Sequence, residues 1–364
     1  MNNLILASKV DITVDAMNTI LRNKLRGDSV KDLRVNTLGT GQMSEAYRVS
    51  LKYLNSSTPQ LPNSLVVKVQ SDDESSCRIG KSGFYLREIR FYQEYSSRLA
   101  GIVPECLYSE IDEDTQSFTL VLQDMAPSQQ GDQLKGCTIE EAKSVIQSLA
   151  KTHALTWGDS SLDNLYWLAD TTAARTKDWI YNLDKNLFSS RWNQFRTRFK
   201  EKLSDDHLLI GNQLADNFDR YLFGTDTEKC LVHGDLRSDN LLFENRNGST
   251  VATIVDWQVA GYAPGAKDLA YFLGTSLTTE LRRANEEELL KLYLDTLVAN
   301  DISNYSTEKL RADYKFYSFS GFVMAVAASM EVEQTERGDE MFMKMFSLPC
   351  ELIRDSNALA LLEC

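Results

Sequence analysis

The spacing of hydrophobic residues changes along the first part of the chain. Apolar residues in Ile12 to Leu25 recur at helical spacing, which predicts a helix. Three runs between positions 33 and 70 then have the composition of β-strands: "LRVNTL", "EAYRVSLKY" and "LVVKVQ". A turn containing Gly39 and Gly41 separates the first two runs, and the polar loop "LNSSTPQLPN" separates the last two. This order predicts an antiparallel meander after the first helix.

A second helix and a further strand complete the predicted first lobe. The stretch "KSGFYLREIRFYQEYSSRL", from 81 to 99, places its large apolar residues on one helical face. The strand-like run "FTLVLQDM", from 118 to 125, leads into Ala126, Pro127 and a polar stretch that ends at Gly131. A chain of 364 residues exceeds the roughly 250 to 300 residues that one core supports. We therefore predict two lobes, residues 1–124 and residues 125–364.

The second lobe is predicted to be mostly helical. Thr138 followed by Glu141 matches a capping box, and apolar residues at helical spacing come directly after it. Further helical patterns occupy residues 178–203, residues 209–223 and the chain from residue 266 onwards. The predicted fold class is α+β, with a small antiparallel sheet and one main helix in the first lobe and a larger helical second lobe.

A polar cluster interrupts the apolar pattern of the second lobe in the stretch "LVHGDLRSDNLLF", residues 231–243. The chain continues "ENRNGSTVATIVDWQ", in which Asn247-Gly248 is the strongest short hairpin signal. With these two residues as the loop, Arg246 lies opposite Ser249, and the strand pair ends at Asn240. Asp256 follows the second strand, so this pairing predicts that Asn240 and Asp256 become neighbours.

The oxygen-bearing side chains around this hairpin match the ligands that Mg²⁺ prefers. Asp235 lies a few residues before Asn240, and Asp256 follows the hairpin. Phosphoryl-transfer enzymes use the same order, with a catalytic Asp, an Asn five residues later and a second metal-binding Asp. The alternative is that Asp235 and Asp239 are turn residues and Asp256 ends a strand. The ordered set favours a site.

Two charged residues in apolar patterns of the first lobe independently indicate a nucleotide site. Glu88 lies on the apolar stripe of its helix, where an unpaired carboxylate costs several kcal/mol. An unpaired ammonium at Lys68, within the apolar strand "LVVKVQ", carries a similar free-energy cost. We predict that the two pair, which in kinases aims the lysine at the nucleotide's phosphates. The alternative places Lys68 on an exposed strand face and Glu88 on the rim of its helix.

The turn "LGTGQMSEAYRV" precedes the strand that carries Lys68 and is a candidate phosphate cover. Backbone N–H groups at Gly39 and Gly41 and the hydroxyl of Ser44 suit this task. Ser44 stands where the third glycine of a G-x-G-x-x-G loop would be, and two glycines between strands also occur in plain hairpins. The position of the turn in the chain supports the phosphate-binding interpretation.

Five motifs together resemble one enzyme superfamily: "REIRFYQ", "LAKTHA", "HGDLRSDNLLF", "IVDWQ" and "KDLAYFL". Their order, over about residues 33–273, is similar to that of the aminoglycoside phosphotransferase and choline kinase superfamily, most closely its ecdysteroid-kinase-like (CHK kinase-like) branch. The resemblance implies a two-lobed, protein-kinase-like fold. It also implies transfer of the γ-phosphoryl group of ATP, with Mg²⁺, to a hydroxyl of a small molecule.

The resemblance further implies a role for each motif residue. Asp235 is the expected catalytic base, and His233 holds the catalytic loop in shape. Asp268 either braces that loop or is an acidic residue stabilised at a helix N-terminus, and His153 is interpreted as packing. The remaining expected residues are the Mg²⁺ ligands Asn240 and Asp256, the phosphate-aiming pair Lys68 and Glu88, and the adenine hinge Gln123, Asp124 and Met125.

Composition and charge limit the expected partners. The chain has 39 basic and 52 acidic residues, a net charge of −13, which disfavours nucleic acids and anionic membranes. No apolar run reaches the roughly 20 residues of a membrane span, and the start lacks the features of a signal peptide, so we expect a cytoplasmic protein. Scattered cysteines and few histidines make a disulfide framework or a zinc site unexpected.

The favoured function is a small-molecule kinase, and the alternative is a nucleotide-binding pseudokinase that acts as an interaction module. All the expected catalytic residues are present, which favours the enzyme. Only "WQVAGYAPGAK" separates Asp256 from Asp268, which leaves no room for the activation segment of a protein kinase. Steroid-like and amino-alcohol or aminoglycoside-like acceptors both stay open. Aromatic residues in 179–199 are candidates either for the wall of the acceptor pocket or for plain core.

Overall fold

The structure is a computed structural model that describes residues 4–38, 43–55, 61–170 and 184–362. Two compact units make up the chain. The first consists of Met1–Pro127 together with Asp256–Gln258, and the second of Ser128–Val255 and Val259–Cys364. The predicted turn at Gly39 and Gly41 lies outside the described residues.

The first unit is built on an antiparallel sheet with strand order β1-β2-β3-β5-β4. The predicted meander is confirmed, and β4 is a strand that the sequence pattern did not reveal. Leu65, Val67 and Val69 in β3 are fully buried, and Lys68 between them points to the opposite face. The strands are β1 Val30–Thr37, β2 Ser44–Tyr53, β3 Ser64–Gln70, β4 Cys106–Ile111 and β5 Phe118–Gln123.

The helices of the first unit are shorter than their sequence patterns. The predicted helix from 12 to 25 is interrupted at Leu21, where the backbone leaves helical geometry. The predicted helix from 81 to 99 begins only at Tyr85, because a π-type turn at Gly80–Phe84 contains a residue with positive φ, Gly83. The helices are α1 Val14–Ile20, α2 Arg22–Leu25, α3 Glu74–Ile79 and α4 Tyr85–Glu94.

The second unit combines small sheets with many helices. β10, β9 and β6 form one sheet, and β7, β11 and β8 form another. Their bounds are β6 Gln129–Gln130, β7 Ala169–Asp170, β8 Lys229–Val232, β9 Leu241–Arg246, β10 Ser249–Ile254 and β11 Gly261–Pro264. The helices are α5 Ile139–Ala154, α6 Lys185–Arg198, α7 Asp205–Asp216, α8 Phe218–Phe223, α9 Ala266–Ser276, α10 Thr279–Val298, α11 Thr307–Tyr317, α12 Ser320–Ala328 and α13 Glu336–Asp355.

Two local predictions for the second unit are confirmed. Arg246 pairs with Ser249 across the Asn247-Gly248 turn, with the predicted register. The capping box at the start of α5 is formed, since the Thr138 side chain accepts from the Glu141 N–H and the Glu141 carboxylate accepts from the Thr138 N–H. Both features depend on local sequence alone.

The aromatic residues of α6 belong to the core of the second unit. Phe188 stacks on Phe218 with ring centroids 4.1 Å apart, and Phe195 lies 4.8 Å from Phe346. Trp192 on the same helix is also buried. For these residues the core alternative holds and the pocket-wall interpretation is wrong, because their side chains are enclosed by other aromatic rings. Trp179 and Tyr181 of the same predicted segment lie outside the described residues.

Candidate active site

Lys68 and Glu88 meet in the first unit. The Lys68 ammonium lies 2.7 Å from Oε1 and 2.8 Å from Oε2 of Glu88, and the Glu88 side chain is only 3% exposed. Lys68 comes from β3 and Glu88 from the first turn of α4. The pairing leaves neither charge alone in the low-dielectric space between the sheet and the helix.

Asp256 joins this pair, because residues 256–258 belong to the same unit. The Lys68 ammonium lies 3.2 Å from Asp256 Oδ1, and the Gln258 amide donates to Asp256 Oδ2 at 3.1 Å. Asp256 has a positive φ of 68°, a conformation that Asp tolerates better than most residues. Burial would lower the pKa of Lys68, but the carboxylates of Glu88 and Asp256 outweigh it and raise that pKa. The ammonium is therefore charged at neutral pH.

The helix that carries Glu88 holds the Asp256 segment through two further contacts. Phe91 stacks on Trp257 with ring centroids 3.9 Å apart and ring planes within 6°. Arg87 donates to the carbonyl of Gln258 at 3.4 Å. Arg87, Glu88 and Phe91 share one face of α4, so a single helix surface orients both the lysine and Asp256.

Two of the other residues predicted to surround a nucleotide, Ser44 and Gln123, lie in the sheet of this unit. Ser44 is buried at the start of β2, opposite Gln70 of β3. Gln123 ends β5, and Asp124 and Met125 follow it. The Asp124 carboxylate contacts the Arg48 guanidinium at 2.8 Å and the Ser64 hydroxyl at 2.7 Å. Burial opposes ionisation of Asp124, but these partners lower its pKa.

The loop after β8 in the second unit carries His233, Gly234 and Asp235. Asp268, near the start of α9, accepts the N–H of His233 at 2.6 Å and that of Gly234 at 2.9 Å. Gly234 has a φ of 82°, and an added Cβ would lie 2.3 Å from the Val259 carbonyl oxygen. Only glycine fits this turn.

His233 adds two contacts to the same loop. Its Nε2 lies 2.9 Å from the Val255 carbonyl oxygen, and its Nδ1 lies 3.2 Å from the Asp235 backbone nitrogen. This pattern assigns the proton to Nε2, which donates, and leaves Nδ1 as the acceptor. The ring therefore ties the loop that contains Asp235 to the end of β10.

A buried chain of polar groups lies behind Asp268. His153 Nε2 is 3.4 Å from Asp268 Oδ2, and His153 Nδ1 is 2.7 Å from the Tyr293 hydroxyl. Burial would raise the pKa of Asp268, but the hydrogen bonds from His153 and from the loop backbone lower it. His153, which the sequence suggested is packing, is fully buried and also hydrogen-bonded. Asp268 lies in the first turn of α9 as well, where the helix dipole favours an acid.

Three side chains converge on the carboxylate of Asp235. The Tyr271 hydroxyl donates to Oδ1 at 2.6 Å. The Asn240 amide and the Arg237 Nε approach Oδ2 at 3.1 and 3.3 Å, and the Asn240 amide also donates to the Asp235 carbonyl at 2.9 Å. Because its nitrogen faces Asp235, the amide of Asn240 has its oxygen available for another partner.

Sequence reasoning missed Tyr271 and Arg237, and it also missed Gln133. The Gln133 backbone N–H donates to Asp239, and its side chain links the Ser238 N–H to the Thr275 carbonyl oxygen, with distances of 2.7 to 2.8 Å. Tyr271 lies in the apolar run "DLAYFL" three residues after Asp268, a helical spacing that could have revealed it. Gln133 gives no local signal, since its partners lie more than 100 residues away.

The described residues contain neither a membrane-spanning helix nor a cluster of His, Cys, Asp or Glu side chains suited to a metal ion. None of the helices in these ranges is long and apolar enough to cross a membrane. No three His, Cys, Asp or Glu side chains cluster there in a way that could hold a metal ion.

Structural comparison shows that the chain has a protein-kinase-like fold. A protein from Ralstonia eutropha provisionally assigned as an aminoglycoside phosphotransferase is similar over 95% of this chain and 98% of its own, with a TM-score of 0.56 and 12% identity. Choline kinase from Cryptosporidium parvum is similar over 94% of this chain and 97% of its own, with a TM-score of 0.55 and 12% identity.

Sequence comparison gives the family. The sequence model of the ecdysteroid kinase-like family matches residues 39–303, so the chain belongs to that family, and the resemblance inferred from its motifs is confirmed. The uncharacterised oxidoreductase dhs-27 of Caenorhabditis elegans is 23% identical over 303 residues, which cover 76% of this chain and 36% of the nematode protein. The match thus spans about a third of that relative.

Proposed function

We propose that this protein is an ATP- and Mg²⁺-dependent phosphotransferase that moves the γ-phosphoryl group to a hydroxyl of a small molecule. The observation that carries the proposal is the arrangement around Asp235, whose carboxylate is held by Tyr271, Arg237 and Asn240. These contacts hold the carboxylate in a defined orientation, as a general base requires. Membership of a kinase-like family supports the same reading.

Asp235 acts as the general base in this proposal. As the acceptor oxygen attacks the γ-phosphorus, its O–H bond breaks and the proton passes to the Asp235 carboxylate. The bond between the γ-phosphorus and the β,γ-bridging oxygen breaks, and the electron pair leaves with ADP. Asp268 and His233 keep the backbone of Asp235 in place during this step.

Lys68 and Glu88 act on the nucleotide. The Lys68 ammonium, held by both oxygens of Glu88, is a fixed positive charge that suits the α- and β-phosphates. We assign Gly39, Gly41 and Ser44 to the cover of the phosphates and residues 123–125 to the adenine hinge. The Asp124 side chain is already engaged by Arg48 and Ser64, so its contribution there would come from the backbone.

We assign Asp256 and Asn240 as the Mg²⁺ ligands on the chemistry of their side-chain oxygens. Asp256 offers a carboxylate, and Asn240 offers an amide oxygen whose orientation is set by the donation of its nitrogen to Asp235. Hard oxygen donors of this kind suit Mg²⁺, which completes its coordination with phosphate oxygens and water. When bound, the ion neutralises charge on the phosphates. Within their own units, Lys68 and Gln258 orient the Asp256 carboxylate, and Asp235 orients the Asn240 amide.

A small acceptor is favoured over a protein acceptor. After Asp256 the chain forms a short 3₁₀ turn at Trp257–Val259, then β11, and α9 begins at Ala266. Residues 257–268 are all within the described ranges, and they do not include a long segment of the kind on which protein kinases bind peptides. Steroid-like alcohols, as the family name suggests, and amino alcohols or aminoglycosides are the acceptor classes to test.

An acceptor screen read out by ADP release tests the proposal. Purified protein is incubated with MgATP and panels of steroids, amino alcohols, aminoglycosides and generic protein substrates. The expected result is ADP release with one class of small alcohol and none from an Asp235→Asn variant. Binding of MgATP in a thermal-shift assay without turnover of any acceptor would favour a pseudokinase. Efficient labelling of proteins alone would contradict the small-molecule assignment.

A further inference from the structure

Tyr271 is the side chain most directly engaged with the proposed base, and no motif assigns it a task. It lies on α9 three residues after Asp268, so the two residues share a helix face. Through that face one helix holds the loop backbone by Asp268 and the base itself by Tyr271. The placement of Asp235 is therefore fixed twice by one rigid element.

Tyr271 is a donor in this contact. Burial, with only 2% of the residue exposed, raises the pKa of its phenol well above the ordinary value, and the negative charge of Asp235 adds to that effect. The hydroxyl therefore keeps its proton across the physiological range. Its bond to Asp235 Oδ1, at 2.6 Å, is a short charge-assisted hydrogen bond.

The hydrogen-bond donors around Asp235 are distributed unequally between its two carboxylate oxygens. A carboxylate offers about four lone-pair sites, two on each oxygen. Oδ2 accepts from both Arg237 and Asn240, whereas Oδ1 accepts from Tyr271. Within the described residues, three of the four lone-pair sites of the Asp235 carboxylate therefore accept a hydrogen bond. The fourth site, the second lone pair of Oδ1, is available to the acceptor hydroxyl.

We propose that Tyr271 is a positioning residue that holds Oδ1 of Asp235 with its remaining lone pair aimed at the acceptor hydroxyl, so that Oδ1 is the atom that takes the proton. The proposal rests on the proposed function. The proton of the acceptor moves to Oδ1 while the new bond to the γ-phosphorus forms and the bond to the ADP oxygen breaks. Tyr271 itself exchanges no proton. It prevents rotation of the carboxylate about the Cβ–Cγ bond.

The test compares Tyr271→Phe with a matched control, Tyr305→Phe. Tyr305 is also a buried tyrosine of the second unit, and its hydroxyl donates to the Asp313 carboxylate at 2.8 Å. Both variants lose one hydroxyl that donates to a carboxylate, so a general loss of stability should affect them alike. Only Tyr271→Phe should affect turnover.

Steady-state kinetics with an acceptor and MgATP give the main readout. We expect Tyr271→Phe to lower kcat about 10- to 100-fold, less than the roughly 100- to 10,000-fold effect of a complete general base because Asp235 itself is kept, with the KM for ATP unchanged. Tyr305→Phe should keep the wild-type kcat. An unchanged kcat in Tyr271→Phe, or an equal loss in both variants, overturns the proposal. An inactive wild type would instead contradict the proposed function itself.

A second variant covers the case in which Tyr271→Phe does not fold. Site-specific 2,3-difluorotyrosine at position 271 keeps the ring and the hydroxyl, and its phenol is a stronger donor. If the hydroxyl acts on Asp235, this residue weakens Oδ1 as a base and lowers kcat by at least about twofold. The same substitution at position 305 should leave kcat unchanged. Equal kcat values at both positions would contradict the positioning role.

Discussion

Phe91 and Trp257 stack face to face with ring centroids 3.9 Å apart, although they lie far apart in the sequence. The stack joins the helix of Glu88 to the segment of Asp256 within one unit. Trp257 is fully buried, which makes it part of the core and not a mobile switch residue. The geometry of Asp256 therefore depends on an aromatic contact next to it.

Loss of this stack should reduce stability and nucleotide binding together. We expect Trp257→Ala to lower the free energy of unfolding by about 3–5 kcal/mol, as for other large-to-small core changes. It should also weaken MgATP binding, because Asp256 is next in sequence. Urea unfolding and a MgATP thermal shift measure the two effects. Trp257→Phe, which can still stack on Phe91, serves as the control, and wild-type stability of Trp257→Ala would contradict the prediction.

The two aspartates should separate by role. Asp235→Asn is expected to abolish turnover and leave MgATP affinity nearly intact, because the base acts on the acceptor and not on the nucleotide. Asp256→Asn should weaken MgATP binding as well, since it removes a charge from the proposed metal ligands. Isothermal titration with MgATP compares the two variants directly. Equal loss of affinity in both would show that the role assignment is wrong.

Lys68 and Glu88 should behave as a buried pair. We expect Lys68→Ala to reduce activity and to cost about 3–5 kcal/mol of stability, because it leaves Glu88 buried without its cation. The double variant Lys68→Met, Glu88→Leu should regain stability without activity, since apolar replacement of such a pair is often neutral or better. Chemical denaturation of both variants measures the difference in their stability. A double variant no more stable than Lys68→Ala would indicate that the contacts are not those described.

Asp268 should make the free energy of unfolding depend on pH in the acidic range. Its folded pKa lies below the ordinary 3.8, so its contribution is present above that value and is lost as the pH falls through the folded pKa. We expect Asp268→Asn to be less stable at neutral pH and to lose less stability on acidification. Urea unfolding between about pH 3 and pH 7 tests this. Asp295→Asn, at an exposed side chain of α10, is the control and should keep the wild-type acid profile.

Much of the first unit could be predicted because its sequence contains local strand and turn patterns and two charged residues at apolar positions. Lys68 and Glu88 stood out as charges within apolar patterns, and burial forces such residues to find each other. The meander followed from strand-like runs separated by turns. The break at Leu21 and the π-type turn at Gly80–Phe84 could not be read in the same way, because packing decides where a continuous apolar pattern stops being helical.

The contacts of the second unit were only partly accessible from the sequence. The hairpin register followed from Asn247-Gly248, which fixes a turn type. Tyr271 was hidden because an aromatic residue inside "DLAYFL" has the pattern of core, and its polar task depends on a carboxylate 36 residues away. Gln133 was hidden because an exposed-looking polar residue gives no sign of its distant backbone partners.

The discontinuous make-up of the first unit limits how the gene can be recombined. A fragment that ends at Pro127 lacks Asp256–Gln258, so it would expose the Phe91 ring and leave the Lys68 ammonium with Glu88 alone. A chimera that exchanges the first 127 residues with those of a relative would likewise combine one α4 with a foreign Trp257. Grafts in this protein must transfer the tripeptide "DWQ" together with the N-terminal segment to keep the stack and the ion pairs matched.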